Sequence, residues 1–330
     1  MKALVYTGVE TLEYRDVPMP TAEAGQSLIR VKASGICGSD MHAFLGHDER
    51  RPAPLILGHE AAGVVVGGPT AGRRVTVNPL VTCGTCDACK SGRTNLCGKR
   101  MIISMPPREG AFAEYVVMRD ENLITVPDAV PLEHAALAEP LACGWHAVRL
   151  AHAMMDRSMA RARCVVIGGG AIGVGAALSL RAFGARDITV IEPNDLRRET
   201  LHAIEGFKAV TPDAVTGDAD IVVDAVGYAA TRANASALVR PGGVIAHIGL
   251  GENTGGLDIR RMTLQEITFF GTYTYTAKDF RDTAQAIFDG RFGALDWIAH
   301  RPLAGGQQAF ADIRAGRVAA PKIILSPSEE

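Results

Sequence analysis

The chain has 330 residues, of which 47% are hydrophobic and 21% are charged, and its formal net charge at pH 7 is −2. This length favours about two domains, and the composition is that of a globular enzyme rather than a disordered chain. Acidic and basic residues are mixed along the sequence, so the charge pattern shows no footprint for nucleic acid or an anionic membrane. We therefore expect small molecules and further copies of the chain as partners.

Cysteine usage and the N-terminus both favour the cytoplasm. No sustained apolar segment of a signal peptide precedes Glu10, and four of the seven cysteines lie between Cys83 and Cys97. Clustered cysteines without a secretory signal are typical of metal binding in a reducing compartment. The uncharged run from Cys164 to Leu180 contains five glycines and is shorter than the roughly 20 residues that a membrane span needs. No membrane segment is predicted.

Short apolar strands separated by turns occupy the chain up to Thr125. The predicted strands are Lys2–Tyr6, Ser27–Lys32, Gly63–Val66, Arg74–Val77 and Ala113–Val117. Such a run predicts a small β-barrel-like domain whose loops carry the functional site. The segment from Leu132 to Ala153 is rich in alanine and leucine, which predicts one or two helices leading out of this domain.

From Arg163 the sequence alternates between strand and helix. The predicted strands are Cys164–Ile167, Ile188–Ile191, Ile221–Asp224, Val244–Ile248 and Ile267–Gly271. This alternation is typical of a doubly wound parallel sheet. The short segment Gly206–Asp218 indicates that one crossover helix is reduced. A helix over Asp279–Gly290 and a strand over Lys322–Leu325 form a tail that can return to the first domain.

A glycine-rich loop follows the first strand of this sheet and precedes a predicted helix that ends near Gly184. Its residues are Gly168, Gly169, Gly170, Ala171, Ile172 and Gly173. The spacing matches a dinucleotide fingerprint, in which glycines permit a tight turn, close approach of the pyrophosphate and helix–strand packing. The alternative is that these glycines only pack a helix.

Glu192 stands at the end of the second strand of the predicted sheet. A carboxylate there can accept hydrogen bonds from the adenosine ribose hydroxyls and repels a 2′-phosphate, so we predict NAD rather than NADP. Arg197 is either a neighbour of the adenosine or a surface charge on a helix.

Two sets of potential zinc ligands are present. Cys83, Cys86, Cys89 and Cys97 lie in a loop of glycine and small polar residues. Four thiolates satisfy a tetrahedral Zn²⁺ completely, which predicts a structural site, with disulfides or free thiols as the alternatives.

The second set is dispersed and is suited to catalysis. Cys37 lies in one turn, His59 and Glu60 lie in another, and Glu139 precedes Pro140. A catalytic zinc needs three protein ligands and an open position, where it lowers the pKa of a bound alcohol. Cys37, His59 and Glu139 would supply a thiolate, a neutral imidazole and a carboxylate. The alternative is an ordinary cysteine accompanied by surface acids.

These motifs together resemble the zinc-dependent medium-chain dehydrogenase/reductase family. They are Gly35-Ile36-Cys37-Gly38-Ser39-Asp40, Gly58-His59-Glu60-Ala61-Ala62-Gly63, the four-cysteine loop, Glu139-Pro140-Leu141 and the glycine loop. They cover nearly the whole chain in the family's order. The Glu-Pro-Leu version is similar to the polyol dehydrogenase branch, which includes sorbitol, idonate and galactitol-phosphate dehydrogenases.

The resemblance implies an α/β fold of two domains. A GroES-like β-rich catalytic domain would comprise residues 1–147 and 281–330, with a structural zinc lobe at about 80–100. A Rossmann doubly wound parallel sheet over residues 148–280 would bind NAD. The family also implies a homodimer or homotetramer with two zinc ions per subunit.

The same resemblance assigns roles around the catalytic zinc. Cys37 and His59 would be ligands, and Glu60 would be either a ligand or a close partner that exchanges with water. Glu139 stands where the polyol branch has a glutamate. Asp40 matches the acid that orients the zinc-bound histidine.

Proton transfer and the nicotinamide end are assigned in the same way. Ser39 and His42 match a relay that carries the alcohol proton through the nicotinamide ribose toward solvent. Val226, Ile248 and Leu250 match loops whose backbone meets the nicotinamide.

Two positions depart from sorbitol dehydrogenases. Sorbitol dehydrogenases tend to carry an arginine that helps to hold the polyol near the position of Thr274, and they often have a tyrosine where this chain has Ala43. Both differences make sorbitol itself a doubtful substrate. Five further side chains are candidates either for substrate contacts or for the core: Phe44, His47, Phe112, Tyr273 and Tyr275.

The sequence therefore predicts a cytoplasmic, NAD- and zinc-dependent dehydrogenase that oxidises a secondary alcohol of a polyol or sugar-derived substrate to a ketone. A simple alcohol or threonine-type dehydrogenase is the alternative within this class. A non-catalytic NAD- and zinc-binding scaffold and a zinc-free quinone reductase are disfavoured, because neither needs the open metal position and the relay.

Overall fold

The computed structural model describes residues 1–68 and 70–327, so residues 328–330 of the predicted catalytic domain lie outside the described residues. The first part of the chain is built mainly from short strands. They are β1 (Lys2–Gly8), β2 (Thr11–Asp16), β3 (Gln26–Gly35), β4 (Leu55–Ile56), β5 (Glu60–Val65), β6 (Arg74–Val77), β7 (Leu80–Val81), β8 (Met101–Ile102), β9 (Tyr115–Arg119) and β10 (Leu123–Thr125). Two helices, α1 (Gly38–Phe44) and α2 (Asp87–Lys90), and 3₁₀ turns at Thr94–Leu96 and Asp120–Asn122 lie between them.

Helices and strands then alternate to the end of the chain. The elements are α3 (Leu132–Ala136), α4 (Ala138–Ala153), β11 (Arg163–Ile167), α5 (Ala171–Ala182), β12 (Asp187–Ile191), α6 (Asp195–His202), β13 (Lys208–Val210), β14 (Ala219–Asp224), α7 (Ala229–Leu238), β15 (Val239–His247), α8 (Ile259–Leu264), β16 (Thr268–Gly271), α9 (Ala277–Phe288), β17 (Ile298–Pro302), α10 (Gly306–Arg314) and β18 (Lys322–Ser326). Further 3₁₀ turns occur at Met159–Arg161, Pro212–Ala214 and Leu303–Gly305.

The N-terminal sheet is completed by the C-terminal tail. Its order is β10-β6-β5-β3-β18-β17, and β9 also pairs with β3. The alternating residues Ile29, Val31 and Ala33 of β3 are buried, as expected for a strand with one face on a core. β18 pairs antiparallel with β3 through Ile324 and Leu325, so the expected return of the tail to the first domain is confirmed.

The second sheet is the predicted doubly wound parallel sheet, with the order β13-β12-β11-β14-β15-β16. Its central strand carries Cys164, Val165 and Val166, all fully buried, because helices cover both faces. The order reverses between β11 and β14, and a ligand crevice is expected at that point. The reduced crossover is also confirmed, since only β13 and the turn Pro212–Ala214 occupy it.

Two predicted substrate contacts belong instead to the core of the catalytic part. Phe44 and Phe112 pack on Phe310 of α10, with ring centroids 5.0 and 6.0 Å away. Both are at most 2% exposed, so the alternative interpretation as core residues is correct for them. Ala43 is fully buried beside them. Among the described residues no helix is long and apolar enough to cross a membrane.

Candidate active site

Cys37 and Asp40 open helix α1 next to His59. The Cys37 N–H donates to Asp40 Oδ2 at 3.0 Å, and the Gly58 N–H donates to Asp40 Oδ1 at 3.2 Å. Asp40 Oδ1 also lies 3.4 Å from His59 Nδ1. Burial opposes ionisation of Asp40, but the facing His59 ring and the Arg51 guanidinium outweigh it and lower the pKa of Asp40. Asp40 is therefore a buried carboxylate that faces the imidazole.

The turn before His59 requires glycine. Gly58 has φ +90°, and a Cβ there would lie 2.4 Å from Cδ1 of Phe112. A side chain would therefore be strained by its backbone and would also collide with the core. The buried Phe112 ring thus fixes the path of the chain into the site.

Cys37, His59 and Glu60 form the first potential metal site. One ligand atom of each lies within 4.8 Å of those of the other two. Zinc bonds to sulfur, nitrogen and oxygen are roughly 2.0–2.3 Å long, so a single Zn²⁺ can be accommodated between these donors. The donor set therefore fits zinc. Glu139 does not belong to this group of three clustered donors.

Lys322 binds the carboxylate of Glu60. Its Nζ lies 2.6 and 2.7 Å from the two carboxylate oxygens and donates to the carbonyl of Ile36 at 2.7 Å. Burial opposes the charged ammonium, yet Glu60 and Cys37 outweigh it and raise the pKa of Lys322. Lys322 was predicted only as the first residue of a strand, not as part of the site. The signal was a single lysine in the otherwise apolar segment that forms β18.

Glu139 lies in the first turn of α4 and is 5% exposed. It accepts a hydrogen bond of 2.7 Å from the Tyr275 hydroxyl. Burial raises the pKa of Glu139, although the nearby His59 works against it. Burial also raises the pKa of Tyr275 well above its ordinary value, so the phenol stays protonated and donates. Cys143, one turn further along α4, was missed; burial raises its pKa and keeps the thiol neutral.

Ser39 and His42 share one face of α1, because residues three apart are neighbours on a helix surface. Ser39 is half-buried, and its carbonyl accepts a hydrogen bond from Arg51 at 3.3 Å. His42 is exposed, with its ring centroid 6.4 Å from that of His47. A half-buried serine is therefore followed, one helical turn along, by an imidazole exposed to solvent.

The four cysteines of the loop that follows β7 lie close together, as their spacing predicts: Cys83, Cys86, Cys89 and Cys97. Their sulfur atoms all lie within 4.8 Å of one another, and all four thiols are free. Tetrahedral zinc with bonds of about 2.3 Å would separate its sulfur ligands by roughly 3.8 Å. Backbone N–H groups at Thr85 and Cys86 lower the pKa of Cys83 to about 5, which favours the thiolate. This set also fits zinc.

The glycine loop connects β11 to α5 at the crevice. Gly168 has φ +99°, and a Cβ at Gly173 would lie 1.8 Å from the carbonyl oxygen of Gly168. A Cβ at Gly170 would meet no protein atom within 4 Å. Gly170 therefore faces open space at the start of α5, where backbone N–H groups and the helix dipole favour a phosphate. Ala171 and Ile172 line the same cleft.

Glu192 is buried and already hydrogen-bonded within the protein. Its two oxygens accept from the N–H groups of Gly169 at 2.9 Å and Asn194 at 2.8 Å. Arg197 Nη1 lies 3.6 Å from Glu192 Oε2, and Arg197 lines the cleft. Arg197 thus lies beside Glu192 at the cleft, and its contact with the adenosine stays a prediction.

Two loops after β14 and β15 lie against each other with backbone in contact. A Cβ at Gly227 would lie 2.3 Å from the carbonyl carbon of Gly249. Asp224 Oδ1 accepts from the N–H groups of Val226 at 3.1 Å and Gly227 at 2.9 Å. Ile248 is half-buried, whereas Leu250 is 77% exposed.

A cleft of about 290 Å³ brings these parts together. Cys37 and Lys322 line one side, and Gly170, Gly173 and Arg197 line the other. Cys37 of the first metal set and the dinucleotide loop therefore line one cavity.

Comparisons with known proteins agree with this arrangement. Residues 23–128 match the alcohol dehydrogenase GroES-like domain, and residues 171–289 match the zinc-binding dehydrogenase family. The chain is 34% identical over 299 residues to sorbitol dehydrogenase of Bacillus subtilis (strain 168), covering 83% of this chain and 82% of the relative. It is 31% identical to L-galactonate-5-dehydrogenase of Escherichia coli (strain K12), covering 91% of both. An Escherichia coli oxidoreductase of unknown specificity has a TM-score of 0.90 at 25% identity, covering 99% of both chains.

A GroES-like domain, a parallel nucleotide-binding sheet and a zinc-type donor set define an oxidoreductase that handles a nicotinamide dinucleotide. The chain belongs to the zinc-dependent medium-chain dehydrogenase/reductase family, in its polyol dehydrogenase branch.

Proposed function

We propose that this enzyme transfers hydride from a secondary alcohol of a polyol or sugar-derived substrate to NAD, giving a ketone. The observation that carries the proposal is the shared cleft, in which Cys37 faces the loop that contains Gly170 and Gly173. The substrate class follows from the relatives, whose names specify sorbitol and L-galactonate.

We assign the residues around Cys37 to one zinc ion. Cys37, His59 and Glu60 would hold the metal, with Glu139 as the competing carboxylate and Asp40 as the residue that orients His59. Zinc, when bound, supplies Lewis acidity that lowers the pKa of the substrate hydroxyl. Cys83, Cys86, Cys89 and Cys97 would hold a second, structural zinc.

Ser39 and His42 would move the proton. The half-buried Ser39 hydroxyl can accept the proton of the alcohol while it passes its own proton on toward the exposed His42 ring on the same helix face, which can release it to solvent. Val226, Ile248 and Leu250 would contact the nicotinamide end, and Glu192 would favour NAD over NADP by repelling a 2′-phosphate. The division into residues 1–147 with 281–330 and residues 148–280, a cytoplasmic location and a homodimer or homotetramer belong to the same proposal.

A substrate panel tests the proposal. Purified protein is assayed for NADH and NADPH production with polyols, sugar acids, simple secondary alcohols and threonine, together with zinc analysis per chain. We expect about two zinc ions per chain and NADH from polyols or sugar acids. NAD reduction only with simple alcohols or threonine would move the enzyme to that alternative class. No reduction of either cofactor with both sites loaded would favour a scaffold.

Replacement of Cys37 separates catalysis from folding. Cys37→Ser should abolish turnover and lower the zinc content by one ion per chain while the unfolding midpoint changes little. Cys143→Ser is the matched control, because Cys143 is a half-buried thiol near the site that the mechanism does not use. Full activity in Cys37→Ser would overturn the assigned metal site.

A further inference from the structure

The segment Tyr273–Ala277, which joins β16 to α9, is held on one side by the four-cysteine loop. The Asn95 side-chain amide donates to the Tyr273 carbonyl at 2.7 Å. The Ala277 N–H donates to the Thr94 hydroxyl at 2.8 Å. Thr94 and Asn95 form the 3₁₀ turn just before Cys97, and Asn95 is only 4% exposed. The four-cysteine loop thus forms a hydrogen bond with each end of the segment.

The same segment is anchored to α4 on its other side. Thr276 and Asp279 form a capping box at the start of α9. Asp279 also accepts hydrogen bonds from Arg149 at 2.6 Å and contacts His146 at 2.7 Å. Both partners lie on the helix that carries Glu139.

Thr274 lies between these two anchors in an unusual conformation. Its φ is +46°, which is rare for a β-branched residue. Its buried hydroxyl has no hydrogen-bond partner among residues 1–68 and 70–327. Such a conformation persists only where the surroundings impose it. The hydrogen bonds of Asn95 to Tyr273 and of Thr94 to Ala277 flank Thr274 and can impose this conformation. Tyr275, which contacts Glu139, directly follows Thr274.

We propose that Asn95 is a positioning residue for the active site. By holding the Tyr273 carbonyl it fixes the turn at Thr274 and places the Tyr275 hydroxyl on Glu139. The four-cysteine loop then sets the geometry of the buried Glu139 carboxylate, in addition to any stabilising role. This inference rests on the proposed function, in which Glu139 belongs to the catalytic centre.

Asn95→Ala tests the proposal in the zinc-loaded enzyme. We expect kcat to fall on the order of tenfold, while KM for NAD and the zinc content remain unchanged. Hydrogen exchange of the amides in 273–277 should accelerate. Thr94→Val removes only the acceptor for the Ala277 N–H. It should likewise lower kcat and accelerate exchange at 273–277, and it replaces Asn95→Ala as the test if that variant folds poorly.

Asn122→Ala is the matched control. Asn122 is a buried amide that donates to the carbonyls of Asn78 at 2.8 Å and Leu80 at 2.9 Å, next to the same loop. We expect it to lower the unfolding midpoint without changing kcat or exchange at 273–277. A loss of kcat in this control equal to that of Asn95→Ala would overturn the proposal, because general weakening of the loop would then explain both.

A double variant isolates the route through Tyr275. In a Tyr275→Phe background, Asn95→Ala should cause no further loss of kcat, since the hydroxyl it positions is gone. An equal loss in both backgrounds would overturn the inference. If the unmodified enzyme oxidises no substrate, the proposed function fails, but the exchange measurement still decides the inference: unchanged exchange at 273–277 would refute it.

Discussion

Replacing Lys322 with methionine should lower the free energy of unfolding, because it leaves the buried charge of Glu60 without a partner. Lys322 and Glu60 are 3% and 0% exposed, and Nζ lies 2.6 Å from Glu60 Oε1. At an effective dielectric constant of about 20, two unit charges at that distance attract by roughly 6 kcal/mol. Desolvation and relaxation reduce the net effect, and removal of one partner from a buried pair typically costs about 3–5 kcal/mol. We expect a loss of that size in the free energy of unfolding of zinc-stripped Lys322→Met protein.

Zinc should reduce this loss. A cation held by Cys37, His59 and Glu60 would compensate the Glu60 charge that Lys322 leaves unpaired. Urea unfolding of the stripped and loaded forms measures both values. Glu60→Gln combined with Lys322→Met should restore most of the stability of the stripped form, because neither charge then remains buried alone.

A surface pair supplies the control. Lys2 and Asp16 have a similar separation of 2.7 Å, but their side chains are 43% and 78% exposed. Lys2→Met should therefore leave the unfolding curve unchanged. The charge-balance reasoning is refuted if Lys322→Met loses the same free energy with and without zinc and if Glu60→Gln restores nothing.

Two further predictions concern the dinucleotide loop and the α4–α9 contact. Gly170→Ala should leave the unfolding midpoint unchanged and weaken NADH binding measured by fluorescence. Gly173→Ala should instead lower the unfolding midpoint, because its Cβ would lie 1.8 Å from the Gly168 carbonyl oxygen. The reverse pattern would contradict the assignment of the open side of Gly170 to the cofactor. His146, Arg149 and Thr276 outweigh burial and lower the pKa of Asp279, so its stabilisation is complete above the ordinary carboxyl pKa of about 3.9 and is lost as the pH falls further. The stability difference between the unmodified protein and Asp279→Asn should thus be constant near neutral pH and shrink below about pH 4, and a pH-independent difference in urea unfolding would refute the role of this carboxylate.

Local sequence patterns predicted the parts of the site that are themselves local. The spacing of Cys83, Cys86 and Cys89 and that of Gly168, Gly170 and Gly173 is set within one loop each, so geometry follows from sequence distance. The parallel sheet was predicted for the same reason, since its strands are continuous apolar runs.

The charge partners could not be predicted in this way. Lys322 and Glu60 are separated by 262 positions, and Tyr275 and Glu139 by 136. No periodicity connects such residues, and their proximity depends on β18 pairing with β3 and on α9 following β16. Likewise, the sequence shows that Phe44 is aromatic but not that Phe310 covers it.

These distant contacts explain why two carboxylates can be buried around one metal site. Glu60 has the ammonium of Lys322, and Glu139 has the phenol of Tyr275, so each carboxylate keeps a partner. Ionised Cys37, Glu60 and Glu139 would carry three negative charges, which Lys322 and a divalent zinc would neutralise together. Burial raises the pKa of Glu139, and the nearby charge of Glu60 adds to this effect. A divalent cation held by Cys37, His59 and Glu60 would therefore favour the ionised form of Glu139.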